Sequence, residues 1–267
     1  MTGRHLAGGL SGLVMCVLVA GCAQTTAVVD PAYSRLSFGY LNSGMAELGR
    51  LYLIDTKAKT ITEIGTVPVS QTARGEPASY AARQVSDLGV TLNGSVAAAN
   101  VSKSAVEAAV EAKVGRTAEL RLDDYFDMSY SALDADITTA LRAQAAKMAA
   151  GDGSGWEIDT VLRNPDLIYL LVFRTYAARS AVFALNGVST AGATADVVDV
   201  GNLKVEVKLS GDSTTTWTGS GRPAVVEYVA FRPRLEKGPG GTEHLRFRRY
   251  GVRVPEKLSE TLRTGMR

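Results

Sequence analysis

The sequence predicts an α+β fold: a largely antiparallel sheet with two to three central helices packed on it, behind a cleaved signal peptide. Three observations carry that prediction. Runs with helical periodicity cluster between about residues 104 and 162, while strand-like runs lie before and after them, and such segregation separates α+β from alternating α/β folds. Leu167-Ile168-Tyr169-Leu170-Leu171-Val172-Phe173 is continuously apolar, the pattern of a central strand buried on both faces. Leu203 to Leu209 alternates Leu, Val, Val, Leu with Lys204, Glu206 and Lys208, the pattern of a strand with one wet face.

The N-terminus is a targeting segment. Arg4 and His5 precede an apolar run from Leu6 to Ala20 that is about 15 residues long, which suits a signal better than a membrane span. Val19-Ala20-Gly21-Cys22 ends it and resembles the lipobox of bacterial lipoproteins. The resemblance implies that residues 1–21 are removed and that Cys22 becomes the first residue, carrying diacylglycerol and an acyl chain. Ala23-Gln24 follow with no Asp directly after the cysteine, which in such proteins implies sorting to the outer membrane, facing the periplasm. The competing reading is a simple secreted protein. Residues 22–33, small and polar with Asp30-Pro31, read as a tether. Residues 34–267 then form one domain, with no internal repeat and no linker to divide them.

In that domain Gly49 to Val69 reads as a hairpin turning at Thr56-Lys57-Ala58-Lys59, and Ser70 to Ala78 reads as a loop. Val90-Thr91-Leu92 starts a strand that weakens toward Ala99. Ser104-Ala105-Val106-Glu107 is a capping box, and Val106, Val110 and Val114 form a stripe, giving a helix over 104–114. A strand continuing from Val90 is the alternative there, since valine favours strands. Thr117 to Leu122 alternates as a strand that Asp123-Asp124-Tyr125-Phe126-Asp127 ends in a loop. Ser131 to Ala150 is a helix, with Ser131 as cap, Asp134 and Asp136 at its positive end, and Leu133, Ile137, Leu141 and Met148 on one face. Trp156 to Leu162 gives a short helix. The apolar run at Leu167 extends to about Leu185, read as two strands with a bend near Ala178-Arg179. Asn186 to Asn202 reads as a loop, 214–218, 224–231 and 245–250 as strands, and 255–262 as a last helix.

Chemistry is sparse. Cys16 leaves with the signal and Cys22 takes the lipid, so the mature chain holds no disulfide, thiol nucleophile or thiolate metal site. Its one histidine, His244, stands in a basic strand far from any nucleophile-elbow motif, and zinc-hydrolase, P-loop and dinucleotide signatures do not occur. A net charge of +2 implies no general affinity for nucleic acid. The expectation is a non-catalytic protein without cofactors beyond the lipid on Cys22.

Two clusters remain. Asp123, Asp124 and Asp127 are weak candidates for calcium or for a carboxylate pair of a hydrolase, against the plainer reading of an acidic lead-in to a helix. From Arg232 onward the chain has ten Lys/Arg against four Glu. Within that stretch Arg246 and Arg248 share one strand face, and Leu245, Phe247 and Arg249 the other. Arg246, Arg248 and Arg249 are candidates for binding an anionic surface, either lipid headgroups or an envelope protein. The plainer reading is an edge strand kept from aggregating by its charges.

The order of Gly49-Arg50-Leu51-Tyr52-Leu53-Ile54-Asp55, a helical middle, Leu170-Leu171-Val172-Phe173-Arg174-Thr175 and then long strands resembles the layout of gasdermin-like pore formers. That resemblance implies a membrane-active alternative and assigns no residue. The leading expectation is a lipid-anchored envelope protein that works by binding or scaffolding.

Overall fold

A computed structural model describes residues 25–29, 32–42, 46–82, 85–93, 101–116, 118–152, 155–185, 196–201, 203–209, 214–218, 223–238, 241, 243–250, 258 and 261–262. In chain order they form β1 (Thr25–Val29), β2 (Arg35–Leu36), β3 (Gly39–Leu41), β4 (Arg50–Asp55), β5 (Thr60–Thr66), β6 (Thr72–Arg74), β7 (Ala78–Ala82), β8 (Val85–Asp87) and β9 (Val90–Asn93). Then come α1 (Lys103–Gly115), β10 (Ala118–Tyr130), α2 (Leu133–Ala149), α3 (Ile158–Arg163) and β11 (Leu167–Leu185). The last are β12 (Asp196–Val200), β13 (Leu203–Leu209), β14 (Thr214–Thr218), β15 (Pro223–Lys237) and β16 (Glu243–Tyr250).

The strands make two sheets. The small one has the order β12-β13-β1-β9. The large one has twelve strands, with β5-β4-β11-β15-β3-β2-β8 as its path; β10 and β14 also pair with β11, β6 and β7 pair with β10, and β16 pairs with β15. Of these pairs β1 with β13 is parallel and the rest are antiparallel.

This overturns the expectation of a helix-packed α+β fold. The chain is mostly β, with sixteen strands against three helices among the described residues. The helices stand close to where periodicity put them, but they are few and divided: α2 and α3 share one core cluster and α1 packs in another. α1 lies against β8, β9 and β12, α2 against β16, and α3 against β11 and β15. The physical reason is strand length. β10, β11 and β15 run through polar residues that read as strand ends, so strands take up more of the chain than its local patterns suggest. No helix among the described residues is long and apolar enough to cross a membrane.

β11 is the spine. Tyr169 and Leu171 enter one core cluster with Ile137, Leu141, Trp156, Val161 and Phe231. Ile168, Leu170 and Val172 enter another with Tyr52, Ile54, Val226 and Ala230. Successive side chains of a strand point to opposite faces, so both faces of this stretch are buried as its apolar run predicts. Farther along, Ala178, Ala181 and Phe183 join a third cluster with Val106, Val110 and Val114 of α1 and Ala27, Val29, Val205 and Val207 of the small sheet. The run is one strand through Ala178-Arg179 and not the two expected. Its register with β15 shifts between Val172 and Arg174 and between Tyr176 and Ala177, and from Ser180 on β14 is its partner in place of β15.

Two local expectations change. α1 is capped by Ser102, whose hydroxyl accepts from the Ala105 N–H at 3.2 Å, two residues before the capping box read from sequence. At α2 the cap position falls on Ala132, not Ser131, and no side chain caps it. The helix expected over 255–262 lies largely outside the described residues, although Leu258 and Leu262 are buried. So does the signal segment.

The expected tether is corrected as well. Thr25–Val29 is an interior strand, hydrogen-bonded to β13 on one side and β9 on the other. Thr25, Ala27 and Val29 are buried while Thr26 and Val28 are half-exposed, the period of two that a one-sided strand requires.

A basic ribbon as candidate anionic-surface site

β15 outruns its neighbour. Its pairing with β11 ends at Phe231, and Arg232 to Lys237 pair with β16 alone among the described strands. The result is a two-stranded ribbon leaving the large sheet. Its register sets Arg234 opposite Arg246, Arg232 opposite Arg248, and His244 opposite Glu236, all on one face. Leu245 and Phe247 point to the other face and pack into the cluster containing Phe231, whose ring centre lies 5.7 Å from that of Phe247. The apolar face thus fixes the ribbon, and the cationic face leaves Arg234, Arg246 and Arg248 exposed.

The arginines divide by role. Arg249 turns to α2 and ion-pairs with Asp134 through both Nε and Nη2, so it holds the helix to the ribbon. Arg232 donates from Nη2 to the Val161 carbonyl and, at 2.8 Å, to the Asn164 carbonyl, closing the C-terminus of α3. Arg234, Arg246 and Arg248 are exposed. Glu236 lies 2.5 Å from Arg234 Nη2 and 3.9 Å from Arg246 Nε. Of the candidates Arg246, Arg248 and Arg249, the structure keeps the first two on the cationic face, adds Arg234, and gives Arg249 another partner. An open groove of about 530 Å³ runs between this ribbon and α2, lined by Arg142, Lys237, His244 and Arg246 together with Glu236 and Glu243.

The acidic candidates do not form a loop. Asp123, Asp124 and Asp127 stand on β10, which continues through them to Tyr130. Asp124 has φ 51° and lies where the register of β10 with β7 shifts, between Leu122 and Tyr125, which marks a bulge toward β7 while the register with β11 runs on unbroken. Its carboxylate lies 4.0 Å from Arg179 Nε, and that of Asp127 3.6 Å from Arg174 Nε. Asp123 is exposed opposite Ser180. Among the described residues no three His, Cys, Asp or Glu come together in a metal-binding group.

Sequence reasoning missed one cluster. Glu227 accepts from Arg174 Nη1 at 3.2 Å and from the Tyr176 hydroxyl. Burial, then the bond to Glu227, pushes the Tyr176 hydroxyl up to about 12, so near neutral pH it stays a proton donor to that carboxylate. Beside it Phe38, Tyr80, Tyr125 and Tyr176 close a ring of aromatic contacts with centres 4.9 to 6.3 Å apart. These residues come from four strands and the turn between β2 and β3, so no local motif announces them. No family model and no curated protein matches this chain.

Proposed function

We propose that this chain is a lipid-anchored protein of the cell envelope, held in the outer membrane through Cys22, and that it works by binding an anionic surface with the β15–β16 ribbon. The anchor rests on the Val19-Ala20-Gly21-Cys22 pattern. The observation that carries the binding mode is the register that stacks arginine opposite arginine, Arg234 on Arg246 and Arg232 on Arg248. Like charges placed directly across a strand pair repel, and Glu236 stands near two of the exposed ones, Arg234 and Arg246. Such a face is improved by an anionic partner, lipid headgroup or acidic protein.

The unlipidated mature chain, residues 22–267, tested on vesicles with and without phosphatidylglycerol, separates the possibilities. Preferential binding to the anionic vesicles that fades with salt supports a lipid partner. Binding to a soluble polyanion but not to vesicles supports an acidic protein. Equal, salt-insensitive behaviour leaves the edge-protection reading. A membrane-active role is the second reading. It is favoured by Leu235, 52% exposed on the ribbon and the one large apolar side chain so exposed among the described residues; release of trapped dye from the same vesicles tests it.

A further inference from the structure

We infer that the small sheet stands end-on against the bilayer, with the end that carries Thr25 as the membrane-facing surface. The inference rests on the lipid-anchor reading of Cys22. Thr25 is the third residue after Cys22, and an extended chain spans at most about 3.6 Å per residue, so Thr25 lies within roughly 11 Å of the acylated cysteine. The sheet register then carries that constraint across the lobe. Thr26 is level with Asn93 of β9, Thr25 with Val205 of β13, and Leu203 with Val200 of β12. The turn at Gly201 sits at this end, and a methyl group on Gly201 would meet the Val101 side chain at 3.6 Å, which places the start of α1 there too. The far end of α1 is opposite. Gly115 lies against the Val85 carbonyl, and Glu111 accepts from the Leu88 N–H, just before Val90 pairs with Val29.

The outward face of the sheet does not suit a bilayer. It carries Lys204, Glu206 and Asp199 of mixed sign with Thr91 and Asn93, whereas Ala27, Val29, Val205 and Val207 are buried inward. A sheet with one polar face and one covered face, tied at the end of an interior strand, meets the membrane by that end.

Lys103 and Arg116 are exposed at the two ends of α1, separated by about 20 Å at 1.5 Å per residue. With Cys22 acylated the mature chain has no other cysteine, so a fluorophore on Lys103→Cys or Arg116→Cys is unique. The acylated protein is placed in vesicles containing lipids with a quencher on the headgroup. The Lys103→Cys label should be quenched at least fivefold more than the Arg116→Cys label. Equal or reversed quenching, with intact mass showing the acyl groups on Cys22, overturns the orientation and leaves the anchor standing. A membrane fraction whose intact mass lacks those groups overturns both.

Discussion

Arg234 and Arg246 face each other across the ribbon, and the single carboxylate of Glu236 reaches toward both, 2.5 Å from one and 3.9 Å from the other. An array so under-compensated is sensitive to ions and to each added or removed charge. Its members are therefore separable by mutation.

Arg246→Gln with Arg248→Gln should weaken binding of the unlipidated chain to anionic vesicles about thirtyfold, from roughly 1 kcal/mol per charge near the surface. Raising salt on the wild type should reproduce the loss, since screening acts over about 8 Å at physiological ionic strength. Arg249→Gln should leave vesicle binding nearly unchanged, because its partner is Asp134. Co-sedimentation of the three proteins checks this, and an equal loss from Arg249→Gln would dissolve the division of roles.

Leu171 is fully buried on the spine strand, among Tyr169, Ile137 and Phe231. Leu171→Ala should cost about 2–5 kcal/mol in urea unfolding through the lost contacts and the cavity left behind. Leu171→Asp should yield no cooperatively folded protein, because an unpaired buried carboxylate costs several kcal/mol, comparable with the roughly 5–15 kcal/mol that holds a domain.

At Gly39 a methyl group would lie 2.7 Å from the Val226 carbonyl oxygen and 2.9 Å from Val225 Cγ1. Backbone on the neighbouring strand cannot swing aside, so Gly39→Ala should destabilise by about 1–3 kcal/mol. Gly75→Ala meets the Asp127 carboxylate instead, and that side chain can rotate, at the expense of its ion pair with Arg174. Thermal melts should show the smaller loss at Gly75.

Burial raises the hydroxyls of Tyr40, Tyr52, Tyr130, Tyr169 and Tyr228 above their ordinary value, and Tyr176 is pushed up to about 12. Between the unfolded value of 10.0 and the folded value of about 12 the folded state holds the proton more tightly. The stability from these groups is thus complete below pH 10 and is lost as pH rises through the folded values. Melting temperature should fall steeply above about pH 10, and Tyr176→Phe should soften that fall. A midpoint flat to pH 12 would show these hydroxyls to be in water.

What the sequence disclosed follows the range of the forces involved. Helices α1 and α2 were legible because the Val106-Val110-Val114 stripe and the Leu133-Ile137-Leu141 stripe are local patterns. The β4–β5 hairpin and β13 were legible for the same reason. The fold class was not, because it depended on how far strands continue. β10 crosses Asp123 to Asp127 because Arg174 and Arg179, about fifty residues later, stand beside those carboxylates. β1 looked like a tether because its partners lie near residues 91 and 206. Of the candidate site, the alternation in β16 correctly put Arg246 and Arg248 on one face. The opposing Arg234, and the capture of Arg249 by α2, required the register with β15 and the position of Asp134, which no window around residue 248 contains.

The interior position of β1 has a mechanical consequence. On the anchored reading, any tug between membrane and domain enters the fold at Thr25 and acts along the strand axis. Five residues of β1 are registered on β13 and four on β9, so tension shears two ladders simultaneously instead of peeling an edge bond by bond. Forced release is then set by the rate at which the small sheet opens. The first residues after the lipid thus act as a rivet through the middle of a plate, so that pulling on the lipid strains the sheet as a whole.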